Sequence, residues 1–180
     1  MSKSQPSDNG AQSPDNPVAN SSYCVDALRG LAFGNYSVWR GLTGTCTTAD
    51  AITALGDSRG GDQFGNLGGS PTRYRVYEGT AASPHGVYIW DVEDKIVLVR
   101  IHDSIPARPV LDQLGEPEAQ EMSHMPGFKT QWVYASRGLT LHIDDGSGAV
   151  AWIYAYQPMT VEKFRASWLS KVEIRRARVR

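Results

Sequence analysis

Apolar positions along this chain follow two rhythms, one suited to short helices and one to strands. Ala51, Ile52 and Leu55 form a stripe at helical spacing. Thr47-Thr48 offers an N-cap before it, and Asp50 falls in the first turn, where a carboxylate suits the helix dipole. Gly56 can close the helix in the left-handed αL position, so a helix over about Thr48 to Leu55 is predicted. The stretches Tyr74-Arg75-Val76-Tyr77, Val87-Tyr88-Ile89-Trp90 and Ile96 to Ile101 are rich in β-branched and aromatic residues and read as strands. The acidic turn Asp91-Val92-Glu93-Asp94 joins the last two, which predicts an antiparallel meander.

The same order then recurs. Pro109 suits a first helical turn, Val110, Leu111 and Leu114 make a stripe, and Gly115 ends it. Gln131 to Tyr134, Gly138 to Ile143 and Ala149 to Tyr156 read as three further strands, the last two joined by the hairpin turn Asp144-Asp145-Gly146-Ser147-Gly148. The expected fold is therefore α+β: an antiparallel sheet with helices on one face, built by tandem duplication of a helix-loop-three-strand unit, with halves at about 47–103 and 107–157. The alternative is one irregular antiparallel sheet whose halves are alike by chance.

The flanks complete the single domain expected over residues 23–172. Residues 1–22 are mostly Ser, Pro, Asn, Asp and Gln, a composition that predicts a disordered arm. Tyr23 to Gly34 reads as a short helix or turn, and Asn35 to Leu42 as an extended piece. Thr160 is a candidate N-cap for a C-terminal helix over 160–172, with Val161, Phe164, Trp168, Leu169 and Val172 on one face. Residues 173–180 form a basic tail.

The short helix ending Leu-Gly, then a loop, then a meander resembles a known arrangement. It is similar to the small outer-membrane assembly lipoproteins of the SmpA/OmlA kind and to the tandem β-lactamase inhibitor proteins, whose helix reads roughly Gly-x-Thr-x-x-x-Val-x-x-x-Leu-Gly. Gly44 to Gly56 and Val110 to Gly115 echo parts of it. The resemblance implies a non-enzymatic binding scaffold and carries no functional residue to a position here. Two departures stand out. Met1 to Asn20 holds no apolar core, so no signal peptide is expected. The inhibitors also place a disulfide inside each repeat, whereas Cys24 and Cys46 precede or open the first unit.

Composition narrows the function less than the pattern narrows the fold. A hydrophobic share of 41%, a charged share of 21% and a net charge of -1 suit a globular protein with no overall field toward nucleic acid or membrane. Two cysteines without a CxxC pair argue against zinc, and two reduced, partly buried thiols in a soluble cytoplasmic protein are expected; export would permit a disulfide.

His102-Asp103 and His142 with Asp144 are the pairs that suggest a general base or metal ligand, though no third ligand lies at useful spacing. Asp91, Glu93, Asp94, Asp144 and Asp145 suggest an acidic patch, or simply two solvated turns. The glycine-rich stretch from Gly56 to Gly69 reads as a loop, without the Gly-Lys-Ser/Thr ending of a phosphate loop. Ser37, Ser70 and Ser136 sit in no nucleophile-elbow motif. No catalytic, cofactor-binding or metal-ligating residue is assigned.

Five Trp and eight Tyr point to binding instead. Trp132, Trp152, Tyr154 and Tyr156 fall on predicted strands, and the last three share one face. They form either an aromatic platform for another protein or core. Arg175, Arg176 and Arg178 in the tail could meet nucleic acid or an acidic protein; the tail could equally be an added edge strand whose arginines discourage aggregation, or a solvated end. The leading reading is a non-catalytic protein-binding module, such as an adaptor, inhibitor or assembly subunit. Behind it stand a nucleic-acid-associated accessory protein using the tail and a small metal or acid/base enzyme using the histidines.

Overall fold

A computed structural model describes residues 17–67, 70–77, 86–123, 125 and 127–171. The chain is α+β, and its described residues form an eight-stranded antiparallel sheet and four α-helices. Helix α1 spans Pro17–Ala32 and α2 spans Thr48–Leu55. Strands β1 (Arg59–Leu67), β2 (Ser70–Tyr77), β3 (Gly86–Val92) and β4 (Lys95–Pro106) follow. Helix α3 (Ala107–Leu114) then precedes β5 (Ala119–Met122), β6 (Thr130–Tyr134), β7 (Leu139–Ile143) and β8 (Ala149–Ala155). Helix α4 spans Val161–Ala166, and a short 3-10 turn covers Trp168–Lys171.

The sheet runs in the order β1-β2-β3-β4-β8-β7-β6-β5. Strands β1 to β4 therefore form one leaf, β5 to β8 a second, and β4 against β8 is the seam between them. Each leaf follows one helix, but it holds four strands rather than the expected three. The additional strands are β1 and β5, the two edges. Strand β1 occupies most of the glycine-rich stretch expected to be a loop. Its Arg-Gly-Gly-Asp-Gln-Phe-Gly-Asn-Leu run lacks an apolar alternation, and its register with β2 shifts between Arg59 and Gln63.

Helix α1 begins six residues before the expected onset of order at Tyr23, with Pro17 at a position where a missing N–H costs nothing. Cys24, Ala27, Leu28, Leu31 and Ala32 make its buried stripe. Arg29 reaches across to donate to the carbonyls of Thr53 and Ala54, the free C-terminal acceptors of α2. Helix α2 matches its predicted limits. Thr47 caps it with a capping box, its side chain accepting from Asp50 N–H while the Asp50 carboxylate accepts from Thr47 N–H. Gly56 follows it at φ 84 and ψ -163, a positive-φ conformation but not the αL one expected there.

Cys24 and Cys46 form a disulfide, which corrects the expectation of two reduced thiols. The buried stripe of α1 brings Cys24 against the residue that precedes the α2 cap, a proximity invisible from a separation of 22 positions.

The two faces of the sheet bury different cores. On the first, α1, α2 and α3 cover Tyr77, Val87, Ile89, Val99, Ile101, Leu139, Leu141 and Ile153. On the second, Trp90, Leu98, Val133, Tyr154 and Tyr156 pack with Phe164 of α4 and Leu169. The last helix thus lies on the face opposite the other three, rather than all helices sharing one. It is also shorter than the expected 160–172, because Ser167 adopts extended backbone and its hydroxyl donates to Phe164 O.

Candidate functional site

Cross-strand register aligns side chains on the second face in rows. Tyr88, Arg100, Tyr154 and Thr140 stand opposite one another across β3, β4, β8 and β7. The next row holds His102, Trp152 and His142. Of the sequence candidates, Trp152, Tyr154 and Tyr156 do share this face, but only Trp152 remains half-exposed; Tyr154 and Tyr156 are buried. Tyr156 stacks on Phe164 at 5.9 Å and its hydroxyl donates to Leu139 O. Trp132 projects to the other face, where it packs on the helix-covered core. Arg175, Arg176 and Arg178 lie outside the described residues.

The centre of the face is Arg100, 5% exposed. Its Cζ lies over the Tyr88 ring at 4.2 Å, over Trp152 at 4.3 Å and over Trp90 at 5.3 Å. Tyr74 stacks on Trp90 at 5.4 Å, and His102 lies against Trp152 at 4.6 Å. Among the described residues Arg100 Nε has no hydrogen-bond partner. Burial lowers the guanidinium pKa, opposed by the neighbouring Tyr154 and Tyr88 hydroxyls. Cation–π contacts of this kind return about 2 kcal/mol each when desolvated, whereas stripping a cation of water costs several kcal/mol. Among the described residues no carboxylate pairs with this buried arginine.

Sequence reasoning passed over Arg100, although a signal was there: it is the one cation inside the apolar run Ile96 to Ile101. It also paired His142 with Asp144. In the structure Asp144 Oδ1 accepts from Gly146 N–H and Ser147 N–H and organises the turn. His142 instead shares a hydrogen bond of 2.9 Å between its Nδ1 and Ser123 Oγ, and Ser123 Oγ also accepts from Met125 N–H. Nothing in the sequence marks Ser123. Burial pushes His142 down to about 3, so the ring is neutral near pH 7 and a weak base. Burial also raises Tyr154 to about 12.

His142 therefore makes folding sensitive to acid. Its folded pKa lies below the unfolded value, so its contribution is complete above the unfolded pKa of about 6.5 and is lost as pH falls toward 3. Below pH 6.5 the parent chain should lose roughly 1 kcal/mol more per pH unit than His142→Gln, measured by urea unfolding at stepped pH. Parallel stability curves for the two proteins would contradict a buried neutral histidine.

The expected acidic patch is a different arrangement. Asp91 is buried and accepts from Arg73 and Arg75, and Asp94 accepts from Arg73. These carboxylates are matched by guanidiniums rather than arrayed for a cation. Among the described residues no group of three or more His, Cys, Asp or Glu is placed to hold a metal, and no helix is long and apolar enough to cross a membrane. Comparisons with protein-family models, with curated proteins and with solved structures return no match to the chain.

Proposed function

We propose that the chain is a non-catalytic protein-binding module whose interface is the second face of the sheet, centred on Tyr88, Arg100 and Trp152. One observation carries this reading: Tyr74, Tyr88 and Trp152 remain half-exposed around a buried arginine, on paired strands. Tyr, Trp and Arg are the residue types that dominate binding hot spots, because they combine large apolar contact with fixed polar groups. The resemblance to the small assembly lipoproteins and the tandem inhibitors implies the same kind of scaffold. The strand order, symmetric about β4 and β8, supports a duplicated unit of one helix and four strands. The Cys24–Cys46 disulfide favours a non-reducing compartment over the cytoplasm.

The test uses Tyr88 and Trp152 together, because Tyr154 is core and its removal would confound binding with folding. Full-length tagged chain is cross-linked in its source cells and captured at high salt, beside Tyr88→Ala/Trp152→Ala. A stoichiometric protein partner present with the parent and absent with the variant is expected, with matching circular dichroism and melting for the two chains. Undiminished capture by the variant would move the interface off this face, and capture of nucleic acid alone would replace the reading.

A further inference from the structure

Four arginines elsewhere in this fold are matched to acids. Arg73 and Arg75 converge on Asp91, Arg108 pairs with Asp112, and Arg165 pairs with Glu121. Arg100 is more buried than any of these, yet no Asp or Glu among the described residues lies within ion-pairing distance of it. Tyr88 stands beside it on β3 and Trp152 on β8, both with their rings against its Cζ. Rings occupy the faces of the guanidinium and the Tyr88 and Tyr154 hydroxyls hydrogen-bond part of its edge, so what remains for a ligand is the rest of that N–H edge, where Nε has no partner among the described residues. That edge matches a carboxylate, which accepts two parallel hydrogen bonds in the guanidinium plane. A monocation held in apolar surroundings attracts a single negative charge far more strongly than one in water.

We propose that Arg100 receives a carboxylate from an acidic side chain of the protein partner, taken edge-on between Tyr88 and Trp152. This rests on the second face being the interface. The aromatic rim then excludes water around the pair, as neutral contacts do around a hot spot. Specificity follows from the same geometry: a neutral amide in place of the acid leaves the buried charge uncompensated, and a partner lysine is repelled.

Benzoate serves as the probe, titrated into the full-length protein and followed by tryptophan fluorescence, since Trp90 and Trp152 both lie at the guanidinium. Benzamide is the neutral isostere and inorganic phosphate the alternative anion. Saturable quenching by benzoate is expected, with benzamide and Arg100→Lys each weakening it by about tenfold or more. Arg100→Met, which keeps the volume without the charge, should abolish it while remaining folded by circular dichroism. No saturation in the parent, equal binding of benzamide, or unchanged binding in a folded Arg100 variant would overturn the proposal. Phosphate binding in place of benzoate would overturn it in favour of a phosphate-bearing partner. If Tyr88 and Trp152 still govern partner capture while benzoate fails to bind, the interface stands and the carboxylate does not; loss of both dependences removes the interface as well.

Discussion

Replacing Asp91 by alanine is expected to destabilise the fold by about 3 kcal/mol, the usual cost of removing one partner from a buried ion pair. Asp91 is 2% exposed. Its carboxylate accepts from Arg73 Nε at 2.9 Å and 3.1 Å and from Arg75 Nη1 at 2.9 Å. Arg75 donates in turn to Thr48 Oγ1 in the first turn of α2, and Thr48 N–H donates to Asp94 O in the hairpin turn. One carboxylate therefore ties β2, β3 and the start of α2 together. The substitution strips two guanidiniums of their shared acid, and neither can turn fully into water, since Arg73 is 30% and Arg75 12% exposed. Urea unfolding of Asp91→Ala against the parent measures the loss. A change below about 1 kcal/mol would mean the cluster behaves as a solvated surface pair.

The second large effect is expected at the disulfide. Closing a loop with a separation of 22 positions restricts the unfolded chain by an amount worth about 3 kcal/mol in the chain-entropy description. Cys24→Ala/Cys46→Ala should lose a comparable amount, and reductant should lower the parent's unfolding midpoint while leaving the double variant unmoved. The bridge ties α1 to the segment feeding the α2 cap, so the loss should come with faster amide exchange in α1. Reductant-insensitive unfolding of the parent would show that the thiols do not pair.

The elements that announced themselves in the sequence share a physical property: their burial demand is local and one-sided. Helix α2 has cap, stripe and terminal glycine within ten positions, and β3, β4, β7 and β8 are dense in β-branched and aromatic residues. Strand β1 was hidden because its residues carry almost no apolar pattern; its strand character comes from pairing with β2, not from its own side chains. Strand β5 fails for the same reason, its Ala-Gln-Glu-Met having Met122 75% exposed. The site was half legible. Period-two spacing put Trp152, Tyr154 and Tyr156 on one face, but it could not say that α4 would cover Tyr156. Nor could it bring Arg100 to Trp152 from the far half of the chain. That contact depends on β4 lying beside β8, a choice made by long-range pairing that no local window contains.

The same pairing has a consequence for how the two leaves hold together. Arg100 and Tyr88 belong to the first leaf, Trp152 and Tyr154 to the second, and they meet only across the β4–β8 seam. Neither leaf owns the site. A ligand seated on Arg100 is a bridge between them, so its binding energy adds directly to their cohesion by thermodynamic linkage. Occupancy and the integrity of the joint are then one equilibrium: whatever loosens the seam weakens recognition, and recognition in turn tightens the seam.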